Sequence, residues 1–169
     1  MSNTPEVIED DPIEVRKAKR QAMLDAGQNP YGHAFDYSHH LAELEQLYAH
    51  LEDGDSTEDL VKVAGRIMSK RVQGKIAFLG LCDATGDMQL FCRINELGEE
   101  AFGRLKDLDV GDWIGVEGAM MRTRRGQLSV AVSSFELLSK SIRPLPEKFH
   151  GLADKETRYR QRYVDLVMN

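Results

Sequence analysis

Phe78, Gln89, Phe91 and Arg93 are the side chains whose types and spacing best suit a chemistry in this sequence. Two rings, an amide and a guanidinium at alternating positions of extended segments form a platform for an unpaired nucleobase. The rings stack, while Gln and Arg read base edges or phosphates. The competing reading is structural, with another element of the chain covering both rings. A second candidate is the basic stretch Arg122, Arg124, Arg125 and Gln127. Covalent chemistry has no comparable case. His33, His39, His40 and His50 lack Cys or carboxylate partners at metal-ligand spacing, so they read as surface histidines. Cys82 and Cys92 are too few for a disulfide framework or a structural zinc site. No nucleophile or acid–base set is visible, and no catalytic residue is nominated.

The length of 169 residues suits one domain with appendages, and 41% hydrophobic with 7% aromatic content is ordinary for a globular chain. A net charge of −6 argues against a nucleic-acid partner, because phosphate binding draws on Lys and Arg. The charges, however, are segregated. Glu43, Glu45, Glu52, Asp53, Asp55, Glu58 and Asp59 fill one stretch, and Lys62, Arg66, Lys70, Arg71 and Lys75 crowd the next. Each cluster alone reads as a solvated face. The first fifteen residues are acidic and carry no apolar core stretch, which excludes a secretory signal there. No run approaches membrane-spanning length, so no membrane partner is expected, and a reducing cytoplasm is the simplest compartment.

The elements that must hold these residues follow from periodicity. Ile13, Val15, Ala18, Ala22 and Met23 recur at near-helical spacing among Arg16, Lys17, Lys19 and Arg20, which predicts a basic amphipathic helix over 12–26 stopped by Gly27. Asn29-Pro30-Tyr31-Gly32 predicts a turn. A second helix is expected from an N-cap at Ser38, through Leu41, Leu44, Leu47, Tyr48 and Leu51, to Gly54.

From Leu60 the period becomes two. A tight turn at Thr85-Gly86 would set Ala84 opposite Asp87, Cys82 opposite Gln89, Gly80 opposite Phe91 and Phe78 opposite Arg93. Leu79, Leu81, Met88, Leu90, Cys92 and Ile94 then share the other surface, an apolar set that makes a core face. A slip of one residue would put Gln89 among those leucines, so the pattern disfavours it. A turn at Gln73-Gly74 brings Arg71 to the Phe78 side, and Gly65 is the expected position of a bulge in the first strand. A short helix over 96–105 and strands near 112–121 and 128–138 complete the pattern.

Three strands, a helix and two strands is the order of an OB-fold. The predicted class is therefore mainly β with flanking α-helices: a five-stranded Greek-key barrel preceded by two N-terminal helices. Arg122, Arg124, Arg125 and Gln127 fall in the loop between the last two strands, one of the two loops this fold uses for binding.

Four stretches carry a resemblance: GQNPYG at 27–32, GRIMSKRVQGKIAFLGLCDATGDMQLF at 65–91, RRGQLS at 124–129 and RPLPEKFHGLADKETRYRQRYVDL at 143–166. In order and spacing they closely resemble the N-terminal anticodon-binding domain, and the following linker, of bacterial class II lysyl-tRNA synthetases. The resemblance implies that Phe78 stacks on an anticodon base, that Gln89 hydrogen-bonds the central uridine, and that Arg71 lies beside the anticodon. Gln127 matches a position where many bacterial relatives carry Glu, so the amide would keep an acceptor but lose the carboxylate's charge. Arg93, Phe91, Arg124 and Arg125 are expected as secondary RNA contacts.

The implied organisation is an acidic disordered tail over 1–11, a helical segment over 12–58, the anticodon-binding barrel over 59–141 and a linker over 142–169. That linker would lead toward a catalytic domain absent from this sequence and is expected to fray beyond about Gly151. The implied partners are lysine tRNA through its anticodon loop, the catalytic domain in cis, and a second copy in a homodimer. No cofactor is expected on this segment. ATP and Mg2+ would serve the full-length ligase, which activates lysine and transfers it to tRNA. Alternatives are the anticodon domain of aspartyl- or asparaginyl-tRNA synthetase, a free-standing single-strand-binding OB module, and a purely structural interaction domain.

Overall fold

The computed structural model describes residues 11–32, 34–146 and 155–168. In chain order these form α1 (Pro12–Asp25), α2 (Leu41–Leu47), β1 (Ser56–Gln73), β2 (Ile76–Cys82), β3 (Asp87–Arg93), α3 (Ile94–Leu97), α4 (Glu99–Asp107), β4 (Trp113–Arg122), β5 (Leu128–Ser139), α5 (Lys155–Arg160) and α6 (Arg162–Met168). Asn29–Ser141 is one compact unit, and the segments before and after it belong to a second.

The strands close a barrel in the order β1-β2-β3-β5-β4. β3 and β5 run parallel, and the other neighbouring pairs run antiparallel. With the helical insertion between β3 and β4, this is the expected five-stranded OB arrangement. Alternation drives it. Leu79, Leu81, Met88, Leu90 and Cys92 point inward with Val61, Val63, Ile67, Ile114, Val116, Met120 and Val130, all buried. Each fully buried aliphatic side chain contributes roughly 1.5–3 kcal/mol. Leu41 and Leu44 of α2 and Phe102 and Leu105 of α4 complete the same core. Ile94, expected in that set, is only partly buried because the chain turns into α3 there.

Several local expectations are corrected. The β2–β3 hairpin pairs Cys82 with Asp87, Gly80 with Gln89 and Phe78 with Phe91, two residues from the expected register. The cause is Asp83. Its carboxylate accepts from the Thr85 backbone N–H at 2.7 Å, the Thr85 hydroxyl at 2.6 Å and the Gly86 N–H at 3.0 Å, fixing a four-residue loop where a two-residue turn was expected. A slip of two preserves the faces, so the predicted inner and outer sets survive.

The β1–β2 turn is Gly74-Lys75, since Gln73 pairs with Ile76. The bulge in β1 falls between Ile67 and Ser69, not at Gly65. Gly65 is instead a point of close approach: a Cβ there would lie 2.5 Å from the Cys82 carbonyl oxygen. Ser38 does not cap a helix. Its hydroxyl accepts from the Lys62 N–H at 2.8 Å and donates to the Lys62 carbonyl. α2 starts at Leu41, whose N–H donates to Asp83 at 2.9 Å, while Glu43 accepts from the His40 N–H.

In the second unit, Asp11 caps α1 by accepting from the Ile13 N–H at 3.0 Å, and Pro12 occupies the first turn. The rest of the expected acidic tail lies outside the described residues. In the stretch expected to fray, Lys155–Arg160 and Arg162–Met168 form two short helices separated by Gln161. Glu156 and Arg160 pair across one turn of α5, an arrangement that favours helix.

Candidate nucleic-acid interface

Alternation that sends Leu79, Leu90 and Cys92 inward sends Phe78, Gln89, Phe91 and Arg93 outward. Phe78 and Phe91 are direct cross-strand partners with ring centroids 5.3 Å apart, tilted by 36°. Each ring carries a cation. The Arg71 guanidinium lies 5.1 Å from the centre of Phe78, and that of Arg93 lies 5.4 Å from the centre of Phe91. Arg71 is the direct register partner of Phe78 across β1 and β2. Arg93 also pairs with Glu96 at 3.2 Å, so part of its charge is already neutralised. Both rings stay half-exposed, and both arginines are exposed.

Gln89 sits one step along this face, opposite Gly80 on β2 and beside Ser129 on β5. A Cβ at Gly80 would fall 2.4 Å from the Ser69 hydroxyl and would have to displace it. The surface between Gln89 and β1 is therefore low, floored by Gly80 and Ser69. Such a gap beside an aromatic pair lets a flat base reach the Gln89 amide, which both donates and accepts.

The second candidate lies at the other end of this face. Gln127 is exposed, two residues before the β5 partner of Gln89. Its loop is preorganised by the chain itself. Arg122 donates from Nε to the Leu51 carbonyl at 2.6 Å and from Nη1 to the Gly126 carbonyl at 2.8 Å. The Gly54 N–H donates to the Arg122 carbonyl at 3.1 Å, and the Arg122 N–H to the Asp55 carbonyl at 2.8 Å. The Thr123 hydroxyl accepts from the Gln127 N–H at 3.0 Å. Arg122 is thus a structural clamp, leaving Arg124 and Arg125 as the exposed cations of the loop. Lys70 is likewise absorbed by the fold, donating to the carbonyls of Lys106 and Leu108 at the end of α4.

Both thiols are held toward the protonated form. Burial pushes Cys92 up to about 12, and burial followed by the neighbouring Asp87 raises Cys82. Among the described residues no group of three or more His, Cys, Asp or Glu side chains could hold a metal ion. No described helix is long and apolar enough to cross a membrane. The sequence pattern missed the Arg122 clamp, the Asp83 turn and an Arg66–Trp113 pair, whose ring and guanidinium lie 5.5 Å apart. Only the single tryptophan, next to a buried strand pattern, could have drawn notice to the last of these.

Residues 61–138 match the family of OB-fold nucleic acid binding domains. Over most of its length the chain is also similar to lysine–tRNA ligases. It is 50% identical over 157 residues to that of Synechococcus sp. (strain RCC307), covering 92% of this chain and 31% of that protein. For Lactococcus lactis subsp. cremoris (strain MG1363) the identity is 46% over 165 residues, covering 94% and 33%. For the chloroplastic/mitochondrial enzyme of Arabidopsis thaliana it is 42% over 159 residues, covering 92% and 26%. The chain thus spans about a third or less of the length of these relatives. Its closed five-stranded barrel, the exposed aromatic pair on that barrel and these matches agree: residues 61–138 are similar to OB-fold nucleic acid binding domains, and the chain as a whole is similar to part of lysine–tRNA ligases.

Proposed function

We propose that this chain reads the anticodon of a lysine tRNA for a lysine–tRNA ligase of which it forms one part. The observation that carries the reading is the Phe78–Phe91 pair, half-exposed on the outer sheet face and flanked by Arg71 and Arg93. A splayed anticodon base stacks on Phe78, and the Gln89 amide above the Gly80 gap pairs with the edge of the central uridine. Arg71 follows the phosphate of that nucleotide. Gln127, Arg124 and Arg125 meet the neighbouring nucleotide and its phosphates from the second loop. Stacking supplies about 1–3 kcal/mol per base, and the arginines add a salt-dependent share.

In the whole ligase, ATP and Mg2+ would serve lysine activation, and the aminoacyl group would pass to tRNA in the cytoplasm. A catalytic domain in cis and a homodimer partner belong to the same proposal. The described residues offer no group fitted to hold that metal, so no step of the chemistry is assigned to them. Their part is binding energy and selection of the correct tRNA.

The test is affinity for a lysine tRNA anticodon stem-loop beside a loop with its central uridine replaced, at two salt concentrations, with Phe78→Ala as control. Uridine-dependent binding that is lost in Phe78→Ala supports the reading. Equal binding to both loops reduces the chain to a general single-strand-binding module. No binding to either loop defeats the proposal for this chain.

A further inference from the structure

Beyond the Phe78–Phe91 pair, the same outer face carries a second cation–aromatic couple. Arg66 pairs in register with Cys82 of β2 on one side and with Trp113 of β4 on the other. Its guanidinium stands 5.5 Å from the Trp113 ring centre, and Nη1 donates to the Gly111 carbonyl at 3.2 Å, which fixes it in place. Ile67, Leu81 and Ile114 point into the core, so their neighbours Arg66, Cys82 and Trp113 point out. Both Arg66 and Trp113 remain partly exposed.

The bulge between Ile67 and Ser69 makes this continuous with the first platform. It resets the alternation so that Arg66, Ser69 and Arg71 share the outer face of β1, facing Cys82, Gly80 and Phe78 on β2. The side chains between the two couples are small: Ser69, Gly80 and Cys82. Phe78 and Cys82 are four residues apart, or about 13 Å of strand at about 3.3 Å per residue. A shallow trough therefore runs along β1 and β2 with a cation–aromatic couple at each end. Asp87, the partner of Cys82, places a carboxylate beside the far end. That acid disfavours a phosphate there and suits the N–H edge of a base.

Resting on the anticodon reading above, we propose that Trp113, held by Arg66, is a second stacking station for a nucleobase of the same RNA strand, separated along the strand from the base on Phe78. Stacked nucleotides advance about 3.4 Å each, so the trough accommodates a short run of splayed nucleotides between the two stations.

Trp113 is the only tryptophan in the chain, so its own fluorescence reports on the station. The experiment titrates the full chain with a lysine tRNA anticodon stem-loop, following tryptophan emission and, separately, the anisotropy of a dye on the RNA stem. Anisotropy tests whether RNA binds at all; emission tests where. The expected result is saturable quenching of Trp113 at the same RNA concentrations that raise anisotropy. Trp113→Leu is expected to weaken binding at least about fivefold, the lower end for one stacked base, and Trp113→Phe to recover most of it. Abasic substitution scanned through the loop should abolish quenching at one position while binding persists. RNA binding with unchanged emission, or wild-type affinity in a folded Trp113→Leu, overturns the second station and leaves the anticodon reading standing. An absence of any anisotropy change overturns both.

Discussion

Phe78 and Phe91 face each other across the β2–β3 hairpin with ring centroids 5.3 Å apart, each ring capped by an arginine of its own. The pair lies on the outer face, so under the proposed anticodon reading its removal should touch RNA binding more than folding. Phe78→Ala should weaken binding of the stem-loop by about 1–3 kcal/mol. The two rings should also prove coupled to each other. A double-mutant cycle with Phe91→Ala, read by thermal unfolding, should return about 0.5–1.5 kcal/mol of interaction. Coupling near zero would mean that the rings act independently.

Arg122 and its neighbours Arg124 and Arg125 should separate cleanly on mutation. Replacing Arg124 and Arg125 by Gln should leave the melting temperature unchanged and flatten the plot of log affinity against log salt by about 1.4, two charges at about 0.7 each. Arg122→Gln should instead lower stability, because the Leu51 and Gly126 carbonyls each lose a charged donor. Loss of RNA binding without loss of stability in Arg122→Gln would contradict the clamp.

Asp83 gathers the N–H groups of Leu41, Thr85 and Gly86 with the Thr85 hydroxyl. Burial raises its pKa, yet the hydrogen bonds from Thr85, Leu41 and Gly86 together outweigh that and hold the carboxyl below its ordinary value. A depressed folded-state pKa contributes stability that is present above the unfolded value and is lost as pH falls through the folded one. Denaturant melts should therefore show an acid-side decline, and Asp83→Asn should blunt it while costing roughly 2 kcal/mol at neutral pH. An unchanged acid limb in the variant would remove Asp83 from that account.

Lys140 is buried between Asp112, whose side chain is 0% exposed, and Asp109, both at 2.8 Å. Asp112 also accepts from the backbone N–H groups of Ser141 and Asp109. Lys140→Met leaves the Asp112 charge buried and should cost about 3–5 kcal/mol in denaturant unfolding. A loss below about 1 kcal/mol would show the acid to be satisfied without its cation.

How much of this was legible in the sequence depends on the range of the cause. Inner and outer faces of β2 and β3 follow from period two alone, so Phe78, Gln89, Phe91 and Arg93 were placed correctly on one surface. Which residue faces which depended on the loop, and Asp83 draws a donor from Leu41, far away in the chain, that local turn preference does not reveal. Ser38 fails as a cap for the same reason, since its hydroxyl is held by the backbone of Lys62. Arg122 looked like one of three equivalent loop cations until the fold brought the Leu51 carbonyl to it. The Arg66–Trp113 couple requires β4 to lie beside β1, a pairing that no local pattern encodes.

The place where β5 ends has a mechanical consequence. Tyr31 bridges to Ser139, and the Lys140 N–H donates to the Pro30 carbonyl at 2.8 Å, so the chain enters and leaves the barrel through one doorway. Tension applied between Asn29 and Ser141 meets these few contacts in series and opens them like a zipper, whereas the ladders of the barrel lie off the line of force. Those contacts can open before any load reaches the β2–β3 ladder that carries Phe78.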